Sequence, residues 1–195
     1  MRHTGGVRLF AALQPPVSVL AQVQSAVRPL RRLPGADRLR WTARPGWHIT
    51  LAFFGEVPED KRPALEARLF RAARRCPAFR LRLAGGGRFG DRVLWLGVAG
   101  ARRTLVRLAG SVAAAARRER IRQEDRAYHP HLTLARSRGR TPVDLRAFVA
   151  ALDGFAGAEW EVGELVLLRS RLPDSGVPGE QPRYERIAAW PLAGR

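Results

Sequence analysis

Two rhythms of apolar residues run along the chain. Short alternating or near-continuous apolar runs at Val7–Leu13, Leu39–Ala43, Trp47–Phe54, Phe79–Leu83, Val93–Val98, His129–Ala135, Val162–Leu172 and Tyr184–Trp190 predict strands. The segments between them carry helix signals. Pro15 and Pro16 open a helix through about Leu30, since proline is tolerated in a first turn. Pro58–Arg75 begins with Glu59 and Asp60 and ends with Arg71, Arg74 and Arg75, charges that complement the helix dipole, and Pro77 stops it. Ala101–Arg118 sets Leu105, Leu108, Val112 and Ala116 along one stripe, and Val143–Leu152 predicts a further helix.

The connections sharpen this picture. Arg44-Pro45-Gly46 reads as a turn that joins Leu39–Ala43 and Trp47–Phe54 as a strand pair. Gly85-Gly86-Gly87-Arg88-Phe89-Gly90 matches G-x-G-x-x-G in letters, but a strand rather than a helix follows it. It therefore reads as a glycine-rich hairpin loop and not as a phosphate cradle. A Pro/Gly-rich loop from Pro173 to Pro182 separates the last two strands. Strand–helix–strand order recurs in both halves, which suggests an internal duplication. The expected architecture is α+β: two pseudo-symmetric lobes, each an antiparallel sheet, facing a central cleft with helices outside. With no flexible linker between the halves, residues 1–195 are expected to pack as one bilobal unit.

Each half contains one copy of the same short pattern, His48-Ile49-Thr50-Leu51 and His131-Leu132-Thr133-Leu134. On a strand, side chains two residues apart share a face. His48 and Thr50 then point one way while Ile49 and Leu51 are buried, and His131 and Thr133 repeat this against Leu132 and Leu134. The chain has 4 histidines. Two of them followed by Thr at this spacing would arise in about one of two hundred random arrangements. Two imidazoles with flanking hydroxyls are the parts of a metal-free acid–base site. His129 falls on the same strand face as His131, but no further ligands follow at short spacing. It reads as a cleft-edge residue, with neither a metal site nor a cofactor expected. His3 falls in a terminal segment expected to fray, and Cys76 at a helix end reads as structural filler.

Charge adds a partner class. The formal net charge is +18, and Lys61 is the only lysine, so arginine supplies nearly all of it. A surface of this kind attracts polyanions, RNA or DNA first and membrane surfaces second, while a charge made almost wholly of arginine also fits a background bias in composition. One cysteine forbids an internal disulfide and fits a reducing compartment. Met1–Leu20 faintly resembles an export signal, but Gln14-Pro15-Pro16 cuts its apolar run short. With no apolar stretch long enough to span a bilayer, a cytoplasmic, monomeric protein is expected.

The residues around the two histidines resemble those of the 2H phosphoesterase superfamily. The likeness is greatest to the bacterial and archaeal RNA 2′,3′-cyclic phosphodiesterases, long known as 2′-5′ RNA ligases. Trp47-His48-Ile49-Thr50-Leu51-Ala52-Phe53-Phe54-Gly55-Glu56-Val57 is similar to that family's H-x-T-L-x-F-x-G-E-V stretch, and Pro130-His131-Leu132-Thr133-Leu134-Ala135-Arg136 to its P-H-x-T-L-A-R stretch. Arg8–Leu13, Leu165–Ser170, Tyr184 and Trp190-Pro191-Leu192 resemble its opening and closing strands. Arg117–Arg122 departs from the pattern in being more charged.

The resemblance implies hydrolysis of RNA 2′,3′-cyclic phosphate ends to 2′-phosphates without metal. His48 and His131 would be the catalytic pair, with Thr50, Thr133 and Arg136 binding the phosphate. Histidine, with a reference pKa near 6.5, can serve as acid or base at neutral pH. The sequence does not say which histidine is which; His48 as acid and His131 as base is the preferred assignment. Arg136 lies five residues after His131, an odd offset that an ideal strand would turn to the opposite face. Its role requires the strand to end or bulge near Ala135. Trp47 and Tyr128 adjoin the motifs as either base-stacking or core aromatics. Alternatives are 2′-5′ ligation, hydrolysis of a small cyclic nucleotide phosphate, and a non-catalytic RNA-binding role.

Overall fold

The computed structural model describes residues 6–123, 127–138, 143–172 and 181–193. Along the chain the elements are β1 (Val7–Leu13), α1 (Val17–Leu30), β2 (Leu39–Trp41), β3 (Ile49–Val57), α2 (Arg62–Arg74), β4 (Phe79–Phe89), β5 (Val93–Gly100), α3 (Arg102–Arg118), β6 (His131–Ser137), α4 (Arg146–Ala150), β7 (Trp160–Val162), β8 (Glu164–Arg171) and β9 (Arg183–Pro191). His3 and most of the Pro173–Pro182 loop lie outside the described residues.

The strands form a curled antiparallel sheet in the order β7-β4-β5-β6-β3-β1-β8-β9, with β2 paired to β6. The two motif strands, β3 and β6, are neighbours at its centre and share one register pair, Ile49 opposite Leu132. On either side of that seam the order is mirrored. β3 pairs with β1, from which α1 and β2 separate it; β6 pairs with β5, from which α3 separates it. Each half is then completed from the other side of the chain. After β3 and α2 the chain crosses to form β4 beside β5, and after β6, α4 and β7 it returns as β8 beside β1. The two expected lobes are thus two half-sheets joined at their motif strands.

Alternation along the strands sets the layers. Leu9, Ala11 and Leu13 of β1, Leu81 and Leu83 of β4, Leu94 and Leu96 of β5, and Leu132 and Leu134 of β6 are buried in the main core. Helix stripes join them: Val19, Val23 and Val27 of α1, Leu65 and Leu69 of α2, and Leu105, Leu108 and Val112 of α3. Burying each such Leu or Val side chain contributes about 1.5–3 kcal/mol, and this apolar layer holds the sheet to its helices. On the opposite face a small cluster of Phe10, Ala12, Val166 and Leu168 underlies the β3 half.

Three local expectations change. Leu39–Trp41 pairs with β6 and not with Trp47–Phe54, because β3 already has β1 and β6 on its two edges. Arg44–Gly46 is a short 3-10 turn between them. The glycine segment is strand, not loop: β4 bulges at Gly85, which has φ +66°, and then runs paired with β5 from Gly86 to Phe89. Glycine is needed there because a neighbour occupies the side-chain position. A Cβ on Gly86 would lie 2.6 Å from Leu152, and one on Gly87 would lie 2.0 Å from Trp95. Finally, the last helix is only Arg146–Ala150, and Trp160–Val162 is an additional edge strand on β4.

Candidate active site

Carrying the Ile49–Leu132 register one residue each way sets His48 opposite Thr133 and Thr50 opposite His131. Ile49 and Leu132 point into the core, both fully buried, so the four polar side chains lie on the other face. That face is where the expected cleft would lie. All four are half-buried, within reach of both core and solvent.

Both motif strands bulge at the same place. The β1–β3 ladder steps from Ala11–Ala52 to Ala12–Thr50 and passes over Leu51; the β5–β6 ladder steps from Leu94–Ala135 to Trp95–Thr133 and passes over Leu134. A bulged residue shifts the alternation by one. Leu134 and Ala135 are therefore both buried, and Arg136 returns to the face of His131 and Thr133. Its odd offset no longer separates it from the cleft. The same shift in β3 brings up Phe53, 48% exposed, with its ring centroid 5.6 Å from that of Phe10. Read in parallel, His-Ile-Thr-Leu-Ala-Phe and His-Leu-Thr-Leu-Ala-Arg are equivalent strands. One ends in an aromatic ring and the other in a cation.

The histidines differ in their surroundings. His48 rests 4.9 Å from the ring of Phe10 and 5.2 Å from Tyr184, which meets it edge-on. Burial, and then the positive charges of His131 and Arg136, lower its imidazole to about 4. The Gly46 backbone is the weakest influence and acts in the opposite direction; Nδ1 makes no hydrogen bond of full geometry. His131 has its Nδ1 2.7 Å from the carbonyl oxygen of His129, again the residue two before it. A carbonyl only accepts, so Nδ1 carries the hydrogen and Nε2 is the nitrogen of the neutral ring that can take a proton. Around His131 stand Phe89 at 4.8 Å, edge-on, and Trp95 at 6.1 Å, while His129 packs tilted against Trp95 at 4.8 Å.

Sequence reasoning missed several members of this site. Arg40 faces Arg136 across the β2–β6 ladder. Together with Arg8, these arginines counter the rise that burial imposes on the Tyr184 phenol. Phe10, Phe53, Tyr184, Phe89 and Trp95 are the aromatics of the cleft. Trp47 and Tyr128 belong to the core or its margin instead, with the Trp47 Nε1 and the Tyr128 hydroxyl buried and without hydrogen-bond partners. Aligning the two six-residue stretches could have singled out Phe53. Arg8 and Arg40 left no such signal, because their place depends on which strands pair. Among the described residues, no group of three or more His, Cys, Asp or Glu side chains is placed to hold a metal ion.

The profile of the 2′-5′ RNA ligase superfamily matches residues 15–174. The chain belongs to that superfamily. An RNA 2′,3′-cyclic phosphodiesterase of Thermus thermophilus is 34% identical over 202 residues, covering 96% of this chain and 91% of that protein. One from Geobacillus stearothermophilus is 37% identical over 163 residues, covering 79% of this chain but 48% of that protein, so the match spans about half of that relative's length. Among solved structures, Escherichia coli LigT in apo form superposes with a TM-score of 0.75 at 27% identity, covering 96% of this chain and 98% of LigT. Its complex with 3′-AMP superposes at 0.72, with 27% identity and the same coverage. The α+β architecture is thus that of the family.

Proposed function

We propose that this chain hydrolyses 2′,3′-cyclic phosphate ends of RNA to 2′-phosphomonoesters, with His48 and His131 as an acid–base pair and no metal. The observation that carries this reading is the Ile49–Leu132 pair, which sets both His-x-Thr pairs on one face of a continuous sheet. The names of the relatives point the same way, and the 3′-AMP held by LigT supports a ribonucleotide phosphate as ligand without bearing on the position of the product phosphate.

In this reading the cyclic phosphate sits between the two imidazoles. His131 is the base: its Nδ1–H is held by the His129 carbonyl, so Nε2 can take a proton from water. The water oxygen bonds to phosphorus as the P–O3′ bond breaks, and O3′ takes a proton from His48. Thr50 and Thr133 donate to the non-bridging oxygens, and Arg136 pairs with the charge that builds on them. With His131 neutral, burial and the Arg136 cation still oppose charge on His48, which is neutral in the empty cleft. An anionic phosphate reverses the sign of that environment and loads the acid. An imidazolium whose pKa is held low also gives up its proton readily. We place this activity in the cytoplasm, in keeping with a single buried cysteine and with no helix among the described residues long and apolar enough to cross a membrane.

The experiment is turnover of a short RNA ending in 2′,3′-cyclic phosphate, in EDTA, with the position of the product phosphate resolved. A 2′-phosphate is expected. A 3′-phosphate would overturn O3′ as leaving group, and loss of turnover in EDTA would overturn metal independence.

A further inference from the structure

A second cationic groove lies directly behind one wall of the cleft. It has a volume of about 270 Å³ and runs between the second half of α1 and the Thr42–Trp47 segment. Arg28, Arg31 and Arg44 line it, with Gln24 and Thr42 as polar neighbours, and no carboxylate is among its lining residues. Trp47, 5% exposed, closes its inner side.

The wall it shares with the cleft is thin and fixed. Gly46 lies close enough to Tyr184 that a Cβ there would be 3.4 Å from the phenol ring, and Tyr184 packs on His48. On the groove side the same turn presents Thr42, Ala43 and Arg44. Three hydrogen bonds anchor it: Thr42 N–H to the carbonyl of Leu134, the bulged residue of β6, at 2.8 Å; Ala43 N–H to Gln181 Oε1 at 2.9 Å; and Gln181 Nε2 to the Trp41 carbonyl at 2.7 Å. Arg44 is steadied by the Val17 carbonyl at 3.1 Å, and Arg31 lies over the Trp41 ring at 5.4 Å. Arg31 and Arg44, held by these contacts, and the exposed Arg28 beside them place three guanidinium groups about one turn of chain from His48, a set that suits a second anion.

We propose that this groove is a subsite for the RNA backbone: it seats phosphates upstream of the terminal cyclic phosphate while that phosphate occupies the cleft. This rests on the reading of the cleft given above. The groove makes the protein discriminate by substrate length, favouring an oligonucleotide end over a cyclic mononucleotide.

The test compares a cyclic mononucleotide with a hexanucleotide bearing the same cyclic end, using a triple variant Arg28→Ala, Arg31→Ala, Arg44→Ala. A control triple removes equal charge from the α2–α3 face, where Arg71, Arg75 and Arg118 line a separate groove. The groove variant is expected to lose about tenfold or more in kcat/KM on the hexanucleotide and to stay within about twofold on the mononucleotide. Its salt dependence should flatten by about 0.7 in slope for each phosphate that the arginines no longer neutralise. The control should leave the ratio between substrates unchanged. An equal loss on both substrates, or the same loss in the control, overturns the subsite. Arg28→Glu alone, at an exposed helix position, gives the same comparison without disturbing the anchored turn. Binding of a hexanucleotide with a plain 3′-hydroxyl separates this proposal from the reading of the cleft. Weaker binding by the groove variant than by the control supports the groove even if no cyclic end turns over, and equal binding overturns it.

Discussion

The indole of Trp95 occupies the place where Gly87, its partner across the β4–β5 ladder, would carry a side chain: a Cβ there would lie 2.0 Å from a ring carbon. The ring then extends to His129 and His131, so a glycine in one strand sets the surroundings of a histidine two strands away. Gly87→Ala must displace the indole. It is expected to destabilise the fold by about 1–3 kcal/mol, as overpacking does, and to lower activity through His131. In a Trp95→Ala background the same substitution should cost far less. A double-mutant cycle by urea unfolding checks this; additive effects would mean that the indole yields without cost.

The depressed His48 pKa has a consequence for stability. The unfolded chain takes up a proton at this residue near pH 6.5, while the folded protein does so only near 4. Between those values the unfolded state binds more protons, so stability falls as the pH drops from about 6.5 to about 4. A shift of this size corresponds to about 3 kcal/mol. His48→Gln should flatten this limb, as followed by urea midpoints across the pH range; an unchanged limb would assign the loss to other groups.

The assignment of acid and base can be read from leaving-group chemistry. Either single alanine variant, His48→Ala or His131→Ala, is expected to lose on the order of 10²–10⁴-fold in kcat. A substrate with sulfur in place of O3′ needs no protonation of its leaving group. It should restore much of the rate to His48→Ala and little to His131→Ala. The reverse pattern would exchange the two roles.

Arg136 and Phe53 occupy equivalent positions after matching bulges, and their losses should differ in kind. Arg136→Ala removes charge from the developing transition state and is expected to lower kcat by about 10²–10³-fold. It should also raise the His48 pKa, since Arg136 is one of the cations that depress it; NMR titration of the imidazole measures this. Phe53→Ala should mainly raise KM, consistent with a ring 48% exposed beside the cleft that stacks on a base. An unchanged KM would remove Phe53 from substrate contact.

Much of this site was legible because it is local. The alternation in His48–Leu51 and His131–Leu134 reports which residues share a face, and Pro and Gly mark where strands stop. What depended on pairing was not legible. Arg40 reaches Arg136 only because β2 joins β6, and Leu39–Ala43 gave no sign that it would bypass Trp47–Phe54. The bulge at Leu134 was required by the proposed role of Arg136 but not visible in the letters, because it belongs to the ladder with β5. Gly85–Gly87 were read as a loop because glycine is common in turns. Here Gly86 and Gly87 make room for Leu152 and Trp95, which are distant in sequence, and Gly85 takes the positive φ of a bulge.

The crossed connections fix an order of assembly during synthesis. Every strand from β4 to β7 of the His131 half is in hand once residue 162 has emerged, with the β2 and β3 pairings to β6 left to close. The His48 half waits longer, because β1 and β3 emerge first and their outer neighbours β8 and β9 come last, ending at Pro191. Until then the free edge of β1 is open to pairing with other chains, a hazard common to sheets closed by long-range contacts. A nascent chain stalled before residue 164 would therefore carry one finished half and one exposed strand pair.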